Sequence, residues 1–138
     1  MDQYLQKLKK AKLSNTKPRQ AIFNILKNSG HKAFSMNDLV NVSRIFADRS
    51  TVYRSVYALE EAGIVKKIYH NWKYKVELSD DFFGHHHHLI CQKCHKIWEI
   101  EVPQSTEKEL QKQISFKKFQ ISGHTIEFYG LCEQCQAS

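Results

Sequence analysis

His85-His86-His87-His88-Leu89-Ile90-Cys91-Gln92-Lys93-Cys94 is the stretch that decides how this chain folds. Four imidazoles stand three residues ahead of a Cys-x-x-Cys knuckle, and a second knuckle, Cys132-Glu133-Gln134-Cys135, comes near the C-terminal end. These are all four cysteines of the chain. Two such pairs can fill the four tetrahedral positions of a zinc ion. Zinc ribbons usually leave roughly 15–20 residues between knuckles. Here 37 residues intervene, so the segment between the pairs is expected to be a folded unit that the metal closes. Two disulfides are the competing reading. The absence of a secretory signal weighs against them, because cytosolic thiols stay reduced.

The histidine run is internal, unlike a terminal purification tag. On a strand, side chains alternate faces with period two. If 85–91 is a strand, His85 and His87 point one way and His86 and His88 the other, so one strand supplies ligand pairs to two separate metal sites. A solvated polar strand end is the plainer alternative.

The length, 138 residues, suits one ordinary domain or two small ones. A module of about 60 residues is marginal alone, which fits a zinc-stapled C-terminal half. The formal net charge is +7, and the excess is uneven: residues 1–20 hold Lys7, Lys9, Lys10, Lys12, Lys17 and Arg19 against Asp2 alone. A basic N-terminal half points to nucleic acid, with a solvated basic face as the alternative. No apolar run approaches the ~18 residues of a membrane span. No signal-peptide core is present either, so the expected location is the cytoplasm.

In chain order, residues 2–12 read as a helix with Tyr4, Leu5 and Leu8 on one side. Thr16 caps a second helix, with Pro18 in its first turn and Ala21, Ile22, Ile25 and Leu26 as the buried stripe. Ser35 caps a third helix, with Asp38 in a capping-box-like place and Leu39, Val42, Ile45 and Phe46 facing inward. A fourth helix is expected from Ser50 to Ala62, stopped by Gly63. Its apolar side is Val52, Val56 and Leu59. Its other stripe is Ser50, Tyr53, Arg54 and Tyr57, at i, i+3, i+4 and i+7. Folding gives no reason to expose that stripe unless the tyrosines pack on a neighbouring helix, whereas a groove-reading helix needs it: arginine forks onto guanine and aromatic carbons meet thymine methyls.

Residues 64–69 and 73–78 read as a β-hairpin. Helices two to four plus a hairpin make a winged helix-turn-helix. A hinge is expected at residues 80–84, between residues 1–79 and 85–138. Further strands are expected at 86–91, 96–102, 118–121 and 124–129, and a helix at 104–115. His124 on the last strand is either a satisfied core histidine or a partly buried ligand.

The motifs Thr16-Lys17-Pro18-Arg19, Ser50-Thr51-Val52-Tyr53-Arg54, Glu60-Glu61-Ala62-Gly63-Ile64-Val65, Tyr74-Lys75-Val76-Glu77-Leu78, the His85–Cys94 run and Gly123-His124 through Cys132 occur in this order. Together they make the chain resemble the ferric uptake regulator family of metal-dependent repressors over nearly its whole length. The resemblance implies an α+β protein: an N-terminal winged helix-turn-helix that binds DNA, then a small α/β dimerisation domain with a four-cysteine zinc site.

It implies structural zinc at Cys91, Cys94, Cys132 and Cys135. It also implies a sensory site from Glu77, His86, His88 and Glu99, and an additional site from His85, His87, Glu107 and His124. The period-two reading gives the same partition of the histidines. The DNA contacts expected are Lys17, Arg19, Ser50, Thr51, Tyr53, Arg54 and Tyr57.

Three departures stand out. His87 is often Asp in relatives, which makes that site richer in nitrogen and better suited to zinc. Glu107 matches only with one residue inserted after Glu99. The family's winged-helix ligand, a histidine two residues before the cap of helix three, is Ala33 here, and His31 is the nearest substitute.

The leading expectation is a homodimeric repressor that responds to Fe2+, Zn2+ or Mn2+, binds a double-stranded inverted repeat and has no membrane role. Glutamates at 77 and 99, where peroxide sensors tend to carry Asp, favour metal sensing over peroxide sensing. A zinc hydrolase is the alternative from another class, with Glu101 or Asp81 as base; no HExxH pair supports it. A zinc-stapled DNA-binding protein without sensing is the third.

Overall fold

The computed structural model describes residues 2–30 and 32–137. The chain divides into two compact units, Met1–Gly84 and His85–Ser138. His31 lies outside the described residues. Among the described residues, no helix is long and apolar enough to cross a membrane.

The first unit is helical with a hairpin: α1 (Asp2–Lys10), α2 (Lys17–Asn28), α3 (Met36–Val42), α4 (Arg49–Glu61), β1 (Val65–His70), β2 (Lys73–Leu78) and α5 (Asp80–Phe83). Local chemistry sets the helix starts. Thr16 accepts from the Arg19 N–H, and Ser35 accepts from the Asp38 N–H at 3.0 Å. α4 begins one residue earlier than expected, because Asp48 is its cap and accepts from the Thr51 N–H at 2.8 Å. Hydrogen bonds from Thr51 keep the Asp48 carboxyl below its ordinary range. Gly63 ends α4 in the left-handed region, at φ 72°.

The core joins Tyr4 and Leu8 of α1, Ile22, Phe23 and Leu26 of α2, Leu39 of α3, and Val52, Val56 and Leu59 of α4. Phe23, absent from the expected stripe, stacks on Tyr4 at 4.4 Å and meets Phe82 edge-on at 5.2 Å. Three expectations for α3 and its exit fail: Val42, Ile45 and Phe46 are exposed. The short helix buries Met36 and Leu39, its C-cap Ser43 is buried in line with them at i, i+3 and i+7, and that line leaves Val42 on the flank. Ile45 and Phe46 follow the end of the helix. Leu5 is likewise exposed, because α1 buries only Tyr4 and Leu8.

The hairpin pairs Val65 with Leu78 through His70 with Lys73. Residues 80–83, expected as part of a hinge, form α5 within the first unit. Asp81 bonds Lys7 at 2.5 Å and Asp80 bonds Lys66 at 2.6 Å.

The second unit contains β3 (His87–Cys91), β4 (Ile97–Ile100), α6 (Gln104–Ile114), a single 3-10 turn (Ser115–Lys117), β5 (Glu127–Gly130) and α7 (Glu133–Gln136). The sheet order is β4-β3-β5, antiparallel on the first side and parallel on the second. The expected strand at 118–121 does not form, and the expected 124–129 strand shrinks to Glu127–Gly130. Alternating sequence is not enough without a partner edge, and β3 offers this segment only the places opposite Glu127–Gly130.

Candidate metal centres and nucleic-acid interface

β3 begins at His87, so only His87 and His88 of the four histidines lie on the strand, yet the alternation extends to His85 and His86 just ahead of it. His85 and His87 converge with Glu107 and His124, and their ligand atoms all lie within 4.8 Å of one another. Proline starts α6: Pro103 precedes it, and the first turn carries Glu107. That carboxylate hydrogen-bonds both His87 and His124. His85 Nε2 lies 3.3 Å from Glu107 Oε1 and 3.3 Å from His124 Nε2.

Residues just before β5 are held to β3 by two hydrogen bonds, one of them to a side chain. The Ile126 N–H donates to His87 Nδ1 at 3.0 Å, and the His88 N–H donates to the Ile126 carbonyl at 3.2 Å. This anchoring, not a strand, brings His124 in. The His87 bond, foremost, holds the Glu107 carboxyl below the usual carboxylate range. Three nitrogens and a carboxylate form a donor set suited to zinc and neighbouring divalent metals.

His88 lies on the opposite face of β3 from His87, and His86 lies just ahead of the strand, with the His86 and His88 rings 5.1 Å apart. His88 is in register with Glu99 on β4, and His86 Nε2 lies 3.3 Å from Glu99 Oε1. Both histidines are buried. Glu77 is a buried residue of β2 in the first unit, where Lys66 Nζ approaches it at 3.4 Å.

The four cysteines, none of them in a disulfide, form one cluster. Cys94 Sγ and Cys132 Sγ are 3.8 Å apart. The N–H groups of Cys94 and Cys132 both point at Cys91 Sγ, at 3.4 and 3.5 Å. These backbone bonds, that of Cys132 first, pull the Cys91 thiol down to about 5. Neighbouring sulfurs, Cys132 first, push Cys135 up to about 12. Thiolates packed this closely repel, and a divalent cation among them reverses the sign. The donor set therefore fits a structural zinc.

On α4, the apolar side is buried as expected, with Val52, Val56 and Leu59 in the core. Ser50, Tyr53, Arg54 and Tyr57 are exposed, and Thr51 is half-buried. Glu61, by hydrogen bond and charge, raises the Tyr57 hydroxyl above its ordinary value. Lys17 is exposed, whereas the Arg19 guanidinium is tied to the Ser14 carbonyl at 2.6 Å. One residue not anticipated joins this face. Arg49 Nη1 lies 3.4 Å from the Tyr53 hydroxyl, and Arg49 Nη2 donates to Asn37 at 3.2 Å. Its i, i+4 spacing to Tyr53 was the available signal.

Residues 10–129 match the model of the ferric uptake regulator family. The chain belongs to the ferric uptake regulator family. A ferric uptake regulation protein of Legionella pneumophila is 31% identical over 137 residues, covering 95% of this chain and 97% of that protein. The peroxide-responsive repressor PerR of Staphylococcus epidermidis is 30% identical over 139 residues, covering 99% and 90%. The crystal structure of the Vibrio cholerae ferric uptake regulator superposes with a TM-score of 0.74 at 28% identity, covering 92% of this chain and 98% of that one. As a member of the ferric uptake regulator family, the protein is a metal-responsive transcriptional regulator and not an enzyme.

Proposed function

We propose that the protein is a homodimeric, cytoplasmic repressor of metal-homeostasis genes that binds an inverted-repeat operator when a regulatory Fe2+, Zn2+ or Mn2+ is bound. The observation that carries this reading is the separation of four consecutive histidines, at and just ahead of the start of β3, into two differently partnered pairs. A chain that needed only a zinc staple would have no use for either pair.

Structural zinc is assigned to Cys91, Cys94, Cys132 and Cys135. The regulatory site is assigned to His86, His88 and Glu99, with Glu77 added on the family resemblance and His31 as the substitute for the family histidine that Ala33 replaces. The site of His85, His87, Glu107 and His124 is the additional one. Residues 1–79 are assigned to operator binding and residues 85–138 to dimerisation.

The exposed face of α4 supports operator reading by Tyr53, Arg54 and Tyr57, with Lys17 and Arg19 on the backbone. Dimerisation is supported by exposed apolar side chains of the second unit. Leu89, Trp98 and Phe128 lie in one cross-strand row, and Leu110, Ile114, Phe116 and Phe119 are open on and after α6. Contiguous apolar surface of this kind marks an interface. Metal sensing is favoured over peroxide sensing by the carboxylates at 77 and 99 being Glu.

The test is operator affinity with and without added Fe2+, Zn2+ or Mn2+, after chelation mild enough to leave the four-cysteine zinc in place. Affinity should rise with one of these metals, and His86→Ala and His31→Ala should blunt the rise while sparing zinc content and the dimer. A metal can shift the equilibrium only through different affinity for the two states. Affinity indifferent to every metal would leave a constitutive DNA-binding protein instead.

A further inference from the structure

We infer that Arg49 is a positioning residue for operator reading: it ties Tyr53 of α4 to Asn37 of α3 and leaves the phenol hydrogen to donate to an acceptor on a base edge. The inference rests on the DNA-binding reading above and names the residue that orders Tyr53 before DNA arrives.

Arg49 opens α4, directly after its cap Asp48. The positive end of the helix dipole lies there, and the first turn itself carries no acidic residue to offset a cation. Helix stability therefore gives Arg49 no reason to stand at this position. Its contacts do. Nη1 lies 3.4 Å from the Tyr53 hydroxyl, and the guanidinium carbon stands over the Tyr53 ring at 5.8 Å from its centroid. Nη2 donates to Asn37 Oδ1 of α3 at 3.2 Å. Asn37, Arg49 and Tyr53 are all exposed, so this bridge adds nothing to the core. The guanidinium is a planar fork with fixed donor directions, so bonding Asn37 with one nitrogen sets where the other points. Asn37 is the anchor, Arg49 the strut and Tyr53 the group held.

Its neighbours on α4 are held within their own helix. Arg54 Nη2 reaches Thr51 Oγ1 at 3.4 Å, and Tyr57 hydrogen-bonds Glu61. Tyr53 differs in being tied, through Arg49, to a second helix. Ordering a side chain on binding costs affinity, and a side chain ordered beforehand avoids that cost. The bridge also sets the chemistry that Tyr53 offers. A guanidinium can only donate, so the Tyr53 oxygen accepts and its own hydrogen is left to give. Tyr53 is thereby matched better to purine N7, guanine O6 or thymine O4 in the major groove than to the amino groups of adenine or cytosine.

The test uses duplexes that the metal-loaded wild-type protein selects from a random-sequence pool, with a scrambled duplex as reference. Arg49→Ala should weaken binding to the selected duplex about threefold per chain, the scale of an exposed cation–aromatic contact and one pre-ordered side chain. Binding to the scrambled duplex should not change. The slope of log affinity against log salt should move by much less than the about 0.9 per chain that a lost phosphate contact brings. Arg49→Lys keeps the charge without the fork and should lose as much as Arg49→Ala. Tyr53→Phe, which removes only the hydroxyl, should lose the same discrimination. In a Tyr53→Ala background, Arg49→Ala should cost nothing further. Thermal melts check that each variant is folded, and Asn37→Ala, which removes the anchor alone, carries the test if Arg49→Ala is not.

Equal loss on both duplexes, with the salt slope flatter by about 0.9 per chain, would overturn the inference in favour of a direct phosphate contact. An Arg49→Ala loss that persists undiminished in the Tyr53→Ala background would also overturn it. Both outcomes leave the operator reading intact. Selection of no duplex by the wild type would overturn both readings.

Discussion

Cys91→Ser should lose the structural zinc and unfold the second unit while the first stays folded. The two units differ sharply in what holds them. Among the described residues, the first buries seventeen apolar side chains from Tyr4 to Leu78, whereas the second buries only Ile90 and Cys91. Burying a side chain the size of Ile90 contributes about 1.5–3 kcal/mol. α6 has 11 residues and none is buried, and isolated helices shorter than ~12–15 residues are marginal. A structural zinc contributes on the order of 10–16 kcal/mol of apparent binding free energy, several times what Ile90 supplies.

Serine can still accept the Cys94 and Cys132 N–H groups, so the turn itself is not what the substitution removes. The measurements are zinc per chain, amide exchange across β3 to β5 and sedimentation of the variant. Zinc should fall to zero, protection in β3–β5 should vanish with the dimer, and protection in α2 and α4 should persist. A zinc-free Cys91→Ser dimer with native protection in β3–β5 would refute the reasoning.

Phe23→Ala should destabilise the first unit by about 3–5 kcal/mol in a denaturant titration, and a loss below about 1 would contradict its place between Tyr4 and Phe82. Ile45→Ala, at a 98% exposed side chain, should change stability by no more than about 0.5 kcal/mol. Burial pushes the Tyr4 hydroxyl up to about 12, with Arg19 opposing. The unfolded chain therefore releases this proton first, and the contribution is intact below pH 10 and lost as pH rises towards 12. Tyr4→Phe should remove that part of the alkaline slope, and an identical slope would exclude it. Tyr53→Ala should relax operator specificity, while Arg19→Ala should weaken all sequences alike; affinity insensitive to both would sink the operator assignment.

Much of this was legible in the chain because it depends on short-range geometry. Period-two alternation separates His85 and His87 from His86 and His88, although only His87 and His88 lie on β3 itself. Thr16 and Ser35 cap helices because their side chains reach an N–H three residues on. The stripe of Tyr53, Arg54 and Tyr57 stands opposite Val52, Val56 and Leu59 because a helix turns every 3.6 residues.

What depended on packing was not legible. Ile45 and Phe46 are as apolar as any core residue, yet the chain leaves α3 before either can turn inward. Phe23 becomes a centre of the core only because α1 and α5 bring Tyr4 and Phe82 to it. The segment 118–126 has strand-like composition but no strand, since a strand exists only where an edge offers hydrogen bonds. The family resemblance nominates Glu107, but only the tertiary fold brings its carboxylate, in the first turn of α6, to His85, His87 and His124. Local periodicity assigns a side chain its face; long-range contacts decide what that face meets.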